Sequence, residues 1–144
     1  MDGSVELKRE GKGRFLGRRH QCGQSVVEFA LIIPIVLLVV VVFVDVGKAY
    51  FTNQVILNAA REGARAGILP QGSSAKVIAA INSVMTSGGL SGHTIAHSNV
   101  GAGVPAGFTT KVTVTYPFKT LTGTFVPGWT GTINLDQTVQ MRHE

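Results

Sequence analysis

Glu28 has the most demanding chemical setting in the chain. It stands in Val26–Val44, nineteen residues with no other charge. A carboxylate inside hydrocarbon costs several kcal/mol unless it is protonated, paired or close to the interface. That setting favours a pairing or processing role over a Glu that merely snorkels to the headgroups. Other chemistry-bearing residues are less well placed. His93 and His97 are four apart and would share a face on a strand or a helix. No nearby Glu, Asp or Cys completes a ligand set, so no metal site is expected. Ser, Thr and His occur without a Gly-x-Ser-x-Gly elbow or another nucleophile setting. The glycines of Gly101-Ala102-Gly103-Val104-Pro105-Ala106-Gly107 have the wrong spacing for a phosphate loop, and Pro105 would break a following helix. Glu28, Asp45 and Glu62, each 17 residues from the next, would lie about 25 Å apart in succession on one helix, too far for paired-carboxylate catalysis. Neither an enzyme nor a cofactor or small-molecule substrate is expected.

The elements that carry these residues fall into four pieces. Residues 1–23 are polar, hold five glycines, and carry six basic against three acidic side chains. No stable structure is expected there. Val26–Val44 follows, and Phe29–Val44 is apolar on every face. As a helix, Val26–Val44 would span about 28 Å, close to the ~30 Å hydrocarbon thickness. A soluble helix would show a stripe, and sixteen apolar residues are too many for one strand. Asp45, Lys48 and Tyr50 mark the exit from the apolar run, and the helix is expected to continue to Gly67 before Pro70 and Gly72 stop it. From Ser25 to Gly67 such a helix would be about 65 Å long. Ala59, Gly63 and Gly67 recur at i, i+4, i+8 and form a helix-packing face where another backbone could approach. Arg61, Glu62 and Arg65 read as a solvated face with a Glu62–Arg65 pair.

The last piece reads as a small α+β head. Ser73 or Ser74 can cap a short helix with the apolar face Val77, Ile81, Val84 and Met85, ending at Gly88-Gly89. The period then changes to two. Val112, Val114 and Tyr116 alternate with polar residues, as do Leu135, Val139 and Met141, giving strands with one buried face. Ile95 marks a third strand. Residues 117–131 read as a long loop or loose hairpin with Phe118, Phe125 and Trp129 as anchors. The domain reading is therefore 1–23 a basic leader, 24–67 a membrane-spanning helix with an extension, and 68–144 the head.

Composition narrows the class. Only 15% of residues are charged, against roughly 25% in typical soluble domains, and 44% are hydrophobic. The net charge of +5 would fit nucleic acid. Most of the excess sits in the tail, and no helix-turn-helix or aromatic-basic pattern accompanies it. A single cysteine, Cys22, excludes an intramolecular disulfide and a Cys-rich zinc site. Positive-inside bias puts Met1 in the cytoplasm and the head outside.

The order of features excludes cleavage behind the apolar run, where Val44-Asp45-Val46-Gly47 is a poor signal-peptidase match. Gly23-Gln24-Ser25-Val26-Val27-Glu28-Phe29, opening a hydrophobic helix after a basic leader, resembles a class III (prepilin-type) processing site. Gly23–Gly67 as a whole, with Glu28-Phe29-Ala30-Leu31, Pro34 and Asn58-Ala59-Ala60-Arg61-Glu62-Gly63-Ala64-Arg65, resembles the TadE-like family, and Met141-Arg142-His143-Glu144 is loosely similar to that family's ending. Those are minor pilins or pseudopilins of the tight-adherence (Flp-type) machinery. The resemblance implies a single-pass inner-membrane protein with a periplasmic or extracellular head, involved in pilus assembly and possible incorporation in pili. It also implies cleavage between Gly23 and Gln24 by a prepilin-type peptidase. Its further partners would be other pilins, the inner-membrane machinery and the lipid bilayer. Glu28 and Phe29 would serve processing and assembly, with Glu28 pairing to the new Gln24 amine within or between subunits. Cys22 would leave with the leader. Pro34 removes a helix hydrogen bond and could kink the helix for departure from the bilayer, although a tolerated membrane proline reads equally well. The alternative is an unprocessed membrane scaffold of a secretion machine.

Overall fold

The computed structural model describes residues 21–101, 103–124, 128 and 130–143. The leader before Gln21, together with Phe125 and Trp129, lies outside the described residues. The fold is α+β, in the order α1 (Gln21–Ile68), α2 (Ser74–Ser87), β1 (Thr94–Ser98), β2 (Thr109–Lys119), a 3-10 turn at Thr122–Thr124, and β3 (Thr132–Arg142). The chain divides within α1 into a unit ending at Val36 and a unit comprising Leu37–Glu144.

In the first unit every helix residue from Gly23 to Val36 is exposed. Pro34 lies inside the helix, where its fixed φ is compatible but its missing N–H leaves one carbonyl unpaired. The helix already includes Gln21, so the Gly23–Gln24 bond is helical, ahead of the expected start at Ser25.

In the second unit the C-terminal half of α1 is a core element. Thr52, Ile56, Ala59, Ala60, Gly63, Ala64 and Gly67 are all buried. Their spacing makes one stripe at helical period. The compact unit therefore begins well before residue 68, because this stripe supplies one wall of its core. Val77, Ile81 and Met85 of α2 and Val112 and Val114 of β2 supply the others. Apart from Ile56, the fully buried hydrophobic residues lining the core from α1 are alanines, with Gly63 and Gly67 beside them, so α2 and β2 approach closely. A Cβ at Gly63 would lie 2.6 Å from Ile81 Cγ1.

Local chemistry sets the remaining boundaries. Ser73 Oγ accepts from the Lys76 amide at the start of α2, and the Gly88 amide bonds Val84 at its end. The three strands form an antiparallel sheet in the order β1-β2-β3. Ile95 pairs across from Val114, and Val112 from Val139. Val112, Val114 and Phe118 are buried, while Leu135, Val139 and Met141 alternate half-buried with exposed residues.

The expected 117–131 loop is shorter than anticipated. β2 continues through Pro117 and Phe118 to Lys119, and Pro117 sits opposite Asn134. β1 pairs with β2 only as far as Thr115. Beyond that point β2 has a neighbour on one side, so a residue without an N–H is tolerated. The connection is 120–131, closed by the Thr120 amide on the Gly131 carbonyl at 2.8 Å. Gly123 and Gly131 touch there, and a Cβ on Gly123 would stand 2.2 Å from the Gly131 Cα.

Candidate processing and assembly site

Gln24 and Glu28 are one helical turn apart on α1. The Gln24 side-chain amide donates to Glu28 Oε1 at 3.3 Å. The residue expected to become the new terminus thus already faces the carboxylate. Phe29 is exposed, and the space around Gly23 is open, with nothing within 4 Å of where a Cβ would stand. Val26–Val44 is exposed on all sides apart from the half-buried Val41. An apolar surface of this length left uncovered by its own chain needs lipid or other apolar helices around it.

Ala59, Gly63 and Gly67 are placed differently from a subunit-docking groove. Ala59 is fully buried, Gly63 lies against Ile81 and Val112, and Gly67 lies against Thr110 and Val77. The backbone-approach face is real, but its partners are α2 and β2 of the same chain. The face therefore packs within the chain, where the spacing alone left its partner open. Glu62 and Arg65 lie 4.0 Å apart on the exposed side, and Arg61 reaches Asn58 Oδ1 at 3.5 Å. Such exposed pairs contribute little to stability.

Asp45 has a larger role than an exit marker. It is 5% exposed, one residue past the apolar run. Its carboxylate accepts from the Leu121 and Thr122 amides, each at 2.8 Å, and from the Thr122 hydroxyl. The Thr122 hydroxyl above all, then the two amides and the nearby Lys48 charge, holds this carboxyl below the usual carboxylate range against the opposing effect of burial. These amides open the 3-10 turn, so Asp45 acts as its cap and fastens the 120–131 connection to α1. Reading along the sequence could not find this contact, since the partners are more than seventy residues apart.

His93 bonds Asn82 Oδ1 through Nε2 at 2.9 Å, and His97 sits on β1 facing the same side as Ile95. Among the described residues no group of three His, Cys, Asp or Glu is placed to hold a metal ion. A further contact was missed entirely. The Thr110 hydroxyl donates to the Asn99 carbonyl at 2.6 Å, so it accepts from His143 Nε2 at 2.7 Å. Asn99 has a φ of 56°, and its side chain bonds the Thr109 carbonyl. This network ties the end of β3 to the start of β2 and the loop before it.

A single long helix with a fully exposed apolar stretch near the N-terminus fits a single-pass membrane protein. Residues 23–65 match the family model described as TadE-like protein, in agreement with the motifs of Gly23–Gly67. The match covers the exposed apolar helix and all of the buried stripe except Gly67, and stops before α2. Neither a curated protein nor a solved structure matches the chain.

Proposed function

We propose that the protein is a minor pilin or pseudopilin-like subunit of a tight-adherence pilus machine. It has no catalytic role in this reading. The observation that carries it is the TadE-like match over residues 23–65, which begins at Gly23, the residue before the candidate cut. A prepilin-type peptidase removes the basic leader on the cytoplasmic side. Glu28 then pairs with the Gln24 amine, within the subunit or on its neighbour, and sets axial register. Gln24 and Glu28 stand one helical turn apart, a spacing that keeps a new terminus at Gln24 near the carboxylate. The rival is an unprocessed bitopic scaffold.

Two variants separate processing from assembly. Gly23→Leu puts a bulky side chain at the scissile bond and is expected to leave the full-length precursor in the membrane. Glu28→Gln keeps the size, removes the charge, and is expected to be cut at least in part yet fail to support pili. An immunoblot for the size shift and a count of surface pili check both. Normal piliation with Glu28→Gln would remove the pairing role, and normal cleavage of Gly23→Leu would remove the cut.

A further inference from the structure

An open groove of about 780 Å³ lies beside α1 in the second unit. Gly47, Lys48, Phe51 and Thr52 form its helix wall, faced by the loop at Leu90–Gly92 and by the end of β2 at Tyr116–Lys119. Lys48 and Lys119 are its charged residues, both exposed, and no acid lines it. Asp45 lies one turn before Lys48, but both of its oxygens are engaged by Leu121 and Thr122.

The groove's depth is set by the sequence of α1. Lys48 follows Val44, the end of the apolar run, by four residues, or about 6 Å of helix rise. The polar layer on each side of a ~30 Å hydrocarbon core is about 5–7 Å thick. Lys48 therefore falls at headgroup level when Val44 ends the span. Phe51 and Tyr50, both exposed, are aromatic residues of the kind enriched at that level. We propose that this groove binds the headgroup of an anionic phospholipid, its phosphate held by Lys48 and Lys119 and its glycerol against Phe51. Two lysines against the single Asp45 carboxylate, which already accepts from Leu121 and Thr122, leave the groove net positive and favour this occupant over an apolar helix of a second copy. The site rests on reading α1 as membrane-spanning.

Carbonate extraction of membranes comes first, because release of the full chain would remove the membrane reading itself. Native mass spectrometry then follows the detergent-solubilised full chain with equal phosphatidylglycerol and phosphatidylcholine. The wild type is expected to retain phosphatidylglycerol by at least about fivefold over phosphatidylcholine. Lys48→Gln with Lys119→Gln should bring the ratio close to one, with an unchanged far-UV dichroism spectrum and thermal midpoint. Equal retention by the wild type, or an unchanged preference in the double variant, would overturn the proposal. So would loss of the wild-type preference on adding inorganic phosphate at the lipid's concentration. A lipid-independent dimer that shields both lysines from acetylation would assign the groove to a second copy instead.

Discussion

Glu28 and Asp45 are both acids on α1, and their surroundings give them different work. Glu28 is exposed and accepts from the Gln24 side chain one turn away, so its carboxylate faces outward where a terminus or a neighbour can reach it. Asp45 is buried and saturated with donors, so it is structural. Asp45→Asn would turn an amide NH₂ toward backbone N–H groups, leaving donor facing donor. That variant is expected to lower the thermal midpoint of the solubilised protein by several degrees, and to expose the 120–131 connection to protease. The acid side follows from the direction of the pKa. The folded value lies below the unfolded one, so the contribution is fully present above the unfolded carboxylate range and is lost as pH falls through the folded value. Wild type should lose stability on acidification more steeply than Asp45→Asn. A variant as stable as wild type at neutral pH would show that the cap is dispensable.

α1 changes character along its length, from exposure on every face to a one-sided stripe, and the stripe depends on small residues. Gly63→Ala sets two effects against each other. Removing a helical glycine gains up to about 1 kcal/mol. The new Cβ would stand 2.6 and 2.7 Å from two carbons of fully buried Ile81, and overpacking costs about 1–3 kcal/mol. A net loss of up to about 2 kcal/mol is expected in chemical denaturation. Ile81→Val in the same chain should recover part of it, giving a non-additive pair. A stabilised Gly63→Ala would mean that α2 yields readily.

What was readable along the chain follows the same division. Local periods revealed α2, its Ser73 cap and the alternation of β2 and β3, because each depends on neighbours a few residues away. The Ala59-Gly63-Gly67 face was visible as a close-packing surface, but its occupant was not, since Ile81 and Thr110 reach it through the fold. Pro117 read as a break because its tolerance depends on where β1 stops pairing. Gly23, Gln24 and Glu28 were readable as a spacing, whereas Asp45 and the His143–Thr110–Asn99 network depend on contacts distant in sequence.

The chain as an assembled membrane protein must also have one orientation. Six basic residues precede Val26 within the leader, while Lys48, Arg61 and Arg65 follow the apolar run at similar range. By the positive-inside rule this asymmetry predicts the leader in the cytoplasm and the head outside. In a Cys22→Ser background, single cysteines at exposed head positions such as Ser91 and Thr138 should react with an impermeant thiol reagent in intact cells. A cysteine at Ser4, tested in the uncleaved Gly23→Leu chain, should react only after lysis. The opposite pattern would reverse the topology and place the candidate cut on the wrong side for the peptidase.

In the proposed function the membrane helix is delivered as a leader-bearing precursor and matured before assembly. N-terminal sequencing of the membrane-extracted protein from pilus-producing cells tests this most directly. The account predicts a mature chain beginning Gln24-Ser25-Val26-Val27-Glu28, present beside little precursor and replaced by the full-length chain when the prepilin-type peptidase is inactivated. A membrane-bound protein that keeps its leader in peptidase-competent, piliated cells would contradict it and favour the unprocessed scaffold.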